Sequence, residues 1–206
     1  MGRNKQPARR TGTREPKYGR YLIFTNGEKT EVNYFNGLRK SLPIEVQDNI
    51  QISIYTCKLD NFENEIQRVK SKYQYSKTYI VLDKDRESQY TLKNIKSIAK
   101  RNDCTIIFSA PCIEYWFLKH FNTTVTFIDS DSLPASQQCI KELGKYLKNY
   151  NKVDINIYNI LNSIGNETTA INLAEKEYKR LKSKNLYEIK NATNMFAIIK
   201  DIKNIP

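Results

Sequence analysis

Four short apolar segments, each followed by a stretch with helical spacing, alternate along the first 121 residues of this 206-residue chain. The apolar segments, which predict β-strands, lie at 21–25, 51–57, 77–82 and 104–108, and the helical patterns lie at 31–42, 62–69, 92–102 and 113–121. Short strands that are apolar throughout are buried on both faces, and strands separated by helices pair in parallel. The alternation therefore predicts an α/β fold, with helices on both faces of a doubly wound sheet of about four parallel strands.

After residue 122 the pattern changes to helical spacing alone. The predicted helices lie at 136–149, 155–161, 167–184 and 193–202. We therefore divide the chain into a basic, disordered arm at 1–20, an α/β core at 21–122 and a helical extension at 123–206 that packs on the core.

The composition excludes several classes of protein. Hydrophobic residues make up 39% of the chain, and no apolar run approaches the roughly 20 residues that span a bilayer. The basic first residues lack the apolar stretch of a secretory signal, so we expect a cytoplasmic protein without membrane contact. The four cysteines form no Cys-x-x-Cys pair and His120 is the sole histidine, so we expect neither a zinc site nor a mechanism that needs two histidines.

The formal net charge of +12 is concentrated at the start of the chain, where residues 1–20 hold seven basic side chains and one acidic side chain. Such a segment cannot bury itself, and its arginines suit the phosphate backbone of a nucleic acid. The candidate nucleic-acid contacts are Arg9, Arg10, Arg14 and Arg20. A tail that only improves solubility remains the alternative.

Acidic residues follow the ends of three predicted strands. Asp83 and Asp85 follow the third strand, Glu31 opens the helix after the first, and Glu114 opens the helix after the fourth. In a doubly wound sheet the carboxyl ends of the strands share one edge, so these acids are expected to converge there. Carboxylate oxygens suit Mg²⁺ or Mn²⁺, and we take the four acids as candidate metal ligands.

Three further residues near these acids are candidates for catalysis. Lys84, between the two aspartates, could neutralise a phosphate, and Glu28 is an acid that the turn at Gly27 could bring close to a ligand. Asn26 precedes a glycine that permits a tight turn close to a ligand. The plainer alternatives are a solvated turn for Asp-Lys-Asp and complements of the helix dipole for Glu28 and Glu31.

Three motifs in this order resemble the RloB family, which includes AbiLii-type phage-resistance proteins. They are the segment at 26–35, Leu-Asp-Lys-Asp at 82–85, and the aromatic segment at 109–121. The resemblance continues through 150–152 and 191–194, so it covers nearly the whole chain. It implies a Toprim-like fold related to OLD-type nucleases, a divalent metal, a role in antiviral defence or abortive infection, and a RloA-like ATPase as a possible partner.

The resemblance also implies roles for individual acids. Glu31 corresponds to the acid of the first helix, Asp83 and Asp85 to the paired Toprim aspartates, and Glu114 to a further acid beyond the fourth strand. One position departs from the family, because Asn26 stands where relatives have a glutamate implied to act as general acid, general base or metal ligand. An amide cannot transfer protons at neutral pH, so Glu28 or Glu31 substitutes, or catalysis is weakened or lost.

Two functions of different classes follow. The first is a Mg²⁺-dependent endonuclease that cleaves DNA or RNA, transfer RNA included, as a defence effector. The second is a catalytically weakened Toprim module that binds nucleic acid or the RloA-like ATPase. Phosphoryl transfer to small nucleotides would use the same metal chemistry, but the chain has no Walker-type phosphate loop.

Overall fold

A computed structural model of the chain describes residues 15–84, 87–181 and 183–206. The strands are β1 (Arg20–Thr25), β2 (Gln51–Thr56), β3 (Lys77–Asp83), β4 (Thr105–Ala110) and β5 (Ala192–Thr193). The helices are α1 (Thr30–Ser41), α2 (Ile44–Asn49), α3 (Phe62–Lys70), α4 (Gln89–Arg101), α5 (Ile113–Lys119), α6 (Ala135–Leu143), α7 (Ile157–Ile164), α8 (Glu167–Leu181) and α9 (Met195–Lys203). Short 3₁₀ turns lie at Leu59–Asn61 and Leu186–Glu188.

The five strands form one sheet in the order β2-β1-β3-β4-β5. The first four strands along the chain are parallel, and β5 pairs antiparallel with β4. The α/β class predicted from the sequence is therefore confirmed, including the four parallel strands. In the described part of the chain, no helix is both long and apolar enough to cross a membrane.

Side chains of each central strand alternate between two apolar layers, one on each face of the sheet. Ile23 and Tyr79 belong to the layer that includes α1, α5, α6, α7 and α9, whereas Leu22 and Ile80 belong to the layer that includes α3 and α4. This alternation follows from the two-residue period of a strand. Because both layers are apolar, the strands read as continuous hydrophobic runs in the sequence.

The helix α4 illustrates how local sequence sets an element. Its apolar residues Leu92, Ile95, Ile98 and Ala99 recur at helical spacing and are buried against the sheet. The hydroxyl of Ser88 accepts a hydrogen bond from the Thr91 amide at 3.0 Å and so caps the first turn. The opposite face of α4 is left polar and exposed to solvent.

The C-terminal third of the chain is more closely joined to the core than the helical pattern predicted. Helices alone were expected beyond residue 122, but Ala192–Thr193 forms β5 and extends the sheet. The helix predicted at 193–202 accordingly begins at Met195, and the helix predicted at 136–149 ends at Leu143, before Gly144. Residues of 21–122 and of 123–206 share one apolar layer.

Arg20 does not lie on a free basic arm, which corrects its assignment as a nucleic-acid contact there. It is the first residue of β1 and is only 4% exposed. Its guanidinium donates to the Glu15 carboxylate at 2.9 Å and lies 4.7 Å from the centre of the Tyr73 ring. Arg9, Arg10 and Arg14 lie outside the described residues, so their predicted contacts with nucleic acid stay predictions.

Candidate active site

A cavity of about 340 Å³ opens at the carboxyl ends of β1 and β3. The chain leaves β1 toward β2 on one side and leaves β3 toward β4 on the other, so the order of strands reverses between these two neighbours. Crevices of this kind are where open α/β sheets bind ligands. The cavity is lined by residues 27–31, Asp83, Ile113, Glu114 and Lys152.

The turn after β1 brings Glu31 into this cavity. The Gly27 amide donates to the Thr25 hydroxyl at 3.0 Å, which closes the turn, and Glu31 follows in the first turn of α1. A Cβ atom on Gly27 would stand only 1.9–2.0 Å from the atoms of the Glu31 carboxylate. Glycine at position 27 therefore leaves room for the Glu31 carboxylate, which any larger residue would displace.

Asp83, the last residue of β3, faces Glu31 and Glu114 across the cavity. Burial raises the pKa of Asp83 well above its usual value, and the negative charges of Glu31 and Glu114 raise it further. Burial also raises the pKa of Glu31, and the charge of Glu114 acts in the same direction. Asp83 and Glu31 thus occupy a space that disfavours their joint ionisation unless a cation is present.

Glu114 is the most enclosed of the three, with no exposed surface. Its Oε1 atom accepts a hydrogen bond from the Tyr150 hydroxyl at 2.9 Å and lies 3.5 Å from the Lys152 ammonium. Its Oε2 atom is buried and has no hydrogen-bond partner. A buried carboxylate oxygen without a partner is costly, so this atom is suited to a ligand that the cavity would hold.

Residues 150–153, from the C-terminal third of the chain, close one side of the cavity. The Thr30 hydroxyl donates to the Lys152 carbonyl at 3.0 Å, and the Asn33 amide donates to the Val153 carbonyl at 3.1 Å. Tyr150 and Lys152 were not among the predicted site residues, although 150–152 belongs to the motifs that carry the family resemblance. That resemblance was the one sequence signal that pointed to them.

The donor set fits a divalent cation such as Mg²⁺ in its chemistry. Glu31, Asp83 and Glu114 offer only carboxylate oxygens, and one oxygen of Glu114 lacks a partner. In residues 15–84, 87–181 and 183–206, no three His, Cys, Asp or Glu side chains stand close enough together to hold a metal ion by themselves. Mg²⁺ usually takes one or two protein carboxylates and completes its shell with water and phosphate, so three are not required.

The other predicted site residues are placed differently. Glu28 lies exposed at the rim of the cavity, whereas the Asn26 side chain does not line it. The Oδ1 atom of Asn26 is nevertheless buried without a hydrogen-bond partner. Asp85 lies outside the described residues, so its role as a ligand stays a prediction.

The structure does not bring Lys84 to this cavity. Its ammonium donates instead to the backbone carbonyls of Tyr187 and Ile189, because adjacent residues at a strand end point in opposite directions. Burial, together with the charge of Lys190, lowers the pKa of Lys84 to about 8. In this arrangement Lys84 fixes the 187–189 segment, and the half-exposed Lys152 places its ammonium 3.5 Å from the Glu114 carboxylate.

A comparison with protein families gives a match over most of the chain. A family model described as RloB-like protein matches residues 21–202. The chain belongs to the RloB-like family. The match spans the α/β core and most of the C-terminal third, so the RloB-like region includes Glu31, Asp83 and Glu114 together with the 150–153 segment that covers them. No curated protein and no solved structure matches this RloB-like chain.

Proposed function

We propose that this RloB-like protein is a divalent-metal-dependent nuclease of the Toprim type that hydrolyses phosphodiester bonds in DNA or RNA. One observation carries the proposal: carboxylates that follow β1, β3 and β4 meet in a buried cavity at the strand-order reversal, and one carboxylate oxygen there has no partner. The pKa values of Asp83 and Glu31 are raised by burial and then by neighbouring carboxylates, a combination typical of functional sites rather than of solvated loops.

The residues of the cavity can be assigned roles on this proposal. One or two of Glu31, Asp83 and Glu114 would hold Mg²⁺ or Mn²⁺, whose shell water and phosphate would complete, with Asp85 as a further predicted ligand. The bound cation would activate water and stabilise charge on the phosphoryl group. Lys152 orients Glu114 and is placed to neutralise a phosphate oxygen.

A residue at the rim of the acidic cavity would carry out proton transfer. Asn26 cannot exchange protons at neutral pH, and the exposed carboxylate of Glu28 lines the same cavity. Glu28 is therefore the side chain that can take a proton from the attacking water or give one to the leaving oxygen. Tyr150 keeps the Glu114 carboxylate in place through its hydroxyl.

Asn26 also favours a second candidate function. Its amide stands where a glutamate is implied by the resemblance, and its buried Oδ1 atom has no partner. This supports a catalytically weakened module that binds nucleic acid or a RloA-like ATPase. For either candidate, antiviral defence is the biological role that we propose on the strength of the family resemblance.

The test is cleavage of supercoiled DNA, single-stranded DNA and total transfer RNA by the purified full chain in Mg²⁺ or Mn²⁺. The native protein would be compared with Asp83→Ala and Asn26→Glu. Metal-dependent cleavage that is lost in Asp83→Ala supports the nuclease and identifies its substrate. Activity in Asn26→Glu alone indicates a nuclease weakened at one position.

If none of these proteins cleaves nucleic acid, a thermal melt of each, with and without Mg²⁺, distinguishes the two candidate functions. If none of them cleaves, and Mg²⁺ stabilises the native chain no more than Asp83→Ala, the acidic cavity does not bind metal and the nuclease proposal fails. Metal stabilisation of the native chain without any cleavage instead favours the binding module.

A further inference from the structure

A second feature lies away from the acidic cavity, between α4 and the segment that follows α8. Two adjoining cavities, each of about 220 Å³, are both lined by Lys96 and Leu186. We call them together the α4 groove. Its lining residues include Lys93, Lys96, Phe108, Tyr178, Lys184 and Tyr187.

The α4 groove carries three lysines for which the described residues supply no ion-pair partner. Lys93, Lys96 and Lys184 are exposed, and no carboxylate in the described part of the chain forms an ion pair with any of them. By contrast Arg101, on the same helix, is paired with Glu63 at 2.8 Å. Three lysines left unpaired around one groove favour an anionic ligand.

Lysines and aromatic side chains line both cavities of the α4 groove. Lys93 and Lys96 line one cavity, where the Lys93 ammonium lies 5.7 Å from the centre of the Tyr187 ring. Lys96 and Lys184 line the other cavity beside Phe108 and Tyr178, whose ring centres are 6.1 Å apart. A ligand that carries both phosphates and flat rings matches this mixture of ammonium groups and aromatic side chains.

Glu188 is an exposed carboxylate in the segment that lines the α4 groove. Its side chain accepts a hydrogen bond from the backbone amide of Asn185 at 2.7 Å and so caps the 3₁₀ turn at Leu186–Glu188. Glu188 lines neither cavity, whereas Lys93, Lys96 and Lys184 do.

The α4 groove is joined to the acidic cavity through two consecutive residues. Asp83 lines the acidic cavity, and Lys84, the next residue, donates to the carbonyl of Tyr187 at 2.7 Å and to the carbonyl of Ile189. Tyr187 and Ile189 both line the α4 groove. An extended ligand that runs from the α4 groove to the acidic cavity would therefore cross the carboxyl end of β3.

We propose that the α4 groove binds an unpaired strand of nucleic acid next to the acidic cavity. This inference rests on the proposed nuclease function in so far as the strand is the substrate. A base can stack on the aromatic side chains of the α4 groove only if it is not already paired and stacked inside a duplex. The substrate class that follows is single-stranded DNA or RNA, or an unpaired loop.

The test measures binding without catalysis, by fluorescence anisotropy of a labelled 12-nucleotide single strand with the full chain in EDTA. Lys93→Gln with Lys96→Gln removes two phosphate contacts. At about 0.7 per contact, the slope of log affinity against log salt should become shallower by about 1.4. Extrapolated from 1 M salt, this corresponds to about tenfold weaker binding at 0.15 M salt.

The matched control is Lys141→Gln with Lys148→Gln, which removes the same charge from exposed lysines in and just after α6, on the opposite face of the sheet. The control should keep the native slope. Tyr187→Ala, which preserves the backbone carbonyl that Lys84 contacts, should weaken binding by about fivefold or more through lost stacking.

The outcomes separate this inference from the nuclease proposal. Equal losses in the groove and control variants overturn the α4 groove, whether or not the protein cleaves nucleic acid. A duplex of the same length that competes as well as the single strand also overturns it, as does displacement by a free mononucleotide at similar concentration. Weaker single-strand binding in the groove variants, with native binding in the control variant, supports the α4 groove as a binding site. This holds even if cleavage assays on Asp83→Ala show no activity that depends on the acids.

Discussion

Replacing Gly27 by alanine tests whether the Glu31 carboxylate must occupy the position that it has in the cavity. The substitution adds one methyl group outside the set of acids, and Gly27 does not have the positive φ that would make alanine strained there. Any effect must therefore come from the space that the new Cβ atom takes. That space is filled by the carboxylate of Glu31.

The size of the effect follows from the contact distances. The added Cβ atom would lie 2.0 Å from the carboxylate carbon, whereas ordinary contact begins at 3.4 Å, so the Glu31 carboxylate must move by about 1.4 Å. Mg²⁺ accepts oxygen ligands only near 2.0–2.1 Å, and a misplacement of about 1 Å can cost about 100-fold in rate. We expect a loss of about 100-fold in metal-dependent cleavage and a fall of about 1–3 kcal/mol in the free energy of unfolding.

The assay compares cleavage rate and Mg²⁺-induced thermal stabilisation in four proteins: native, Gly27→Ala, Glu31→Ala and the double variant. Because Gly27→Ala acts through Glu31, it should have little further effect in the Glu31→Ala background. Gly144→Ala is the matched control, since its Cβ would come no closer than 3.3 Å to any atom and should leave activity unchanged. Native cleavage and native metal stabilisation in Gly27→Ala would refute the placement of Glu31.

Three further predictions concern stability. Tyr150→Phe removes the hydroxyl that donates to Glu114 and should lower the free energy of unfolding by about 1.5–3 kcal/mol, measured by urea denaturation; no change would show that the hydrogen bond is not formed. Lys119→Met leaves the Glu177 carboxylate, which is 18% exposed, without the buried ammonium that now lies 2.8 Å away, and should lower the free energy of unfolding by about 3 kcal/mol in the same measurement; an unchanged stability would contradict this. Burial lowers the pKa of His120 from its usual 6.5 to about 4, so the unfolded chain binds the extra proton between these values and stability should fall by up to about 3 kcal/mol as pH drops from 6.5 to 4. His120→Asn, which keeps an N–H donor without titrating, should flatten that part of the pH profile, and an unchanged profile would show that His120 is not its source.

The main features of the fold could be predicted from sequence because both faces of the sheet are covered. Burial on two sides makes each parallel strand a continuous apolar run, which the pattern reveals directly. The strand β5 could not be found in this way, since two residues are too few to show a period. It is held by contacts with β4, which is distant in the sequence, including the hydrogen bond of 2.9 Å between the hydroxyls of Ser109 and Thr193.

Some residues of the site could likewise be predicted from the sequence pattern, whereas others are known only from their contacts in the structure. Glu31, Asp83 and Glu114 could be expected in one place because each follows a strand whose carboxyl end lies on the same edge of the sheet. Tyr150 and Lys152 come from a segment without periodicity, and only the three-dimensional structure shows which acid they contact. Their roles, like those of the acids, stay predictions until the variants are measured.

The charge of the acidic cavity gives an independent reason to expect a divalent cation. Its lining holds four carboxylates and two ammonium groups, because Glu28 and Lys29 at the rim join Glu31, Asp83, Glu114 and Lys152. With every group ionised, the lining would carry two more negative than positive charges, in a chain whose overall formal charge is +12. A basic protein that gathers excess negative charge into a partly buried space bears a desolvation cost that a divalent cation would remove. Residues 150–153 of the C-terminal third have a related role. The Tyr150 hydroxyl and the Lys152 ammonium both contact Glu114 and partly compensate its charge, which stabilises the group of acids when no cation is bound.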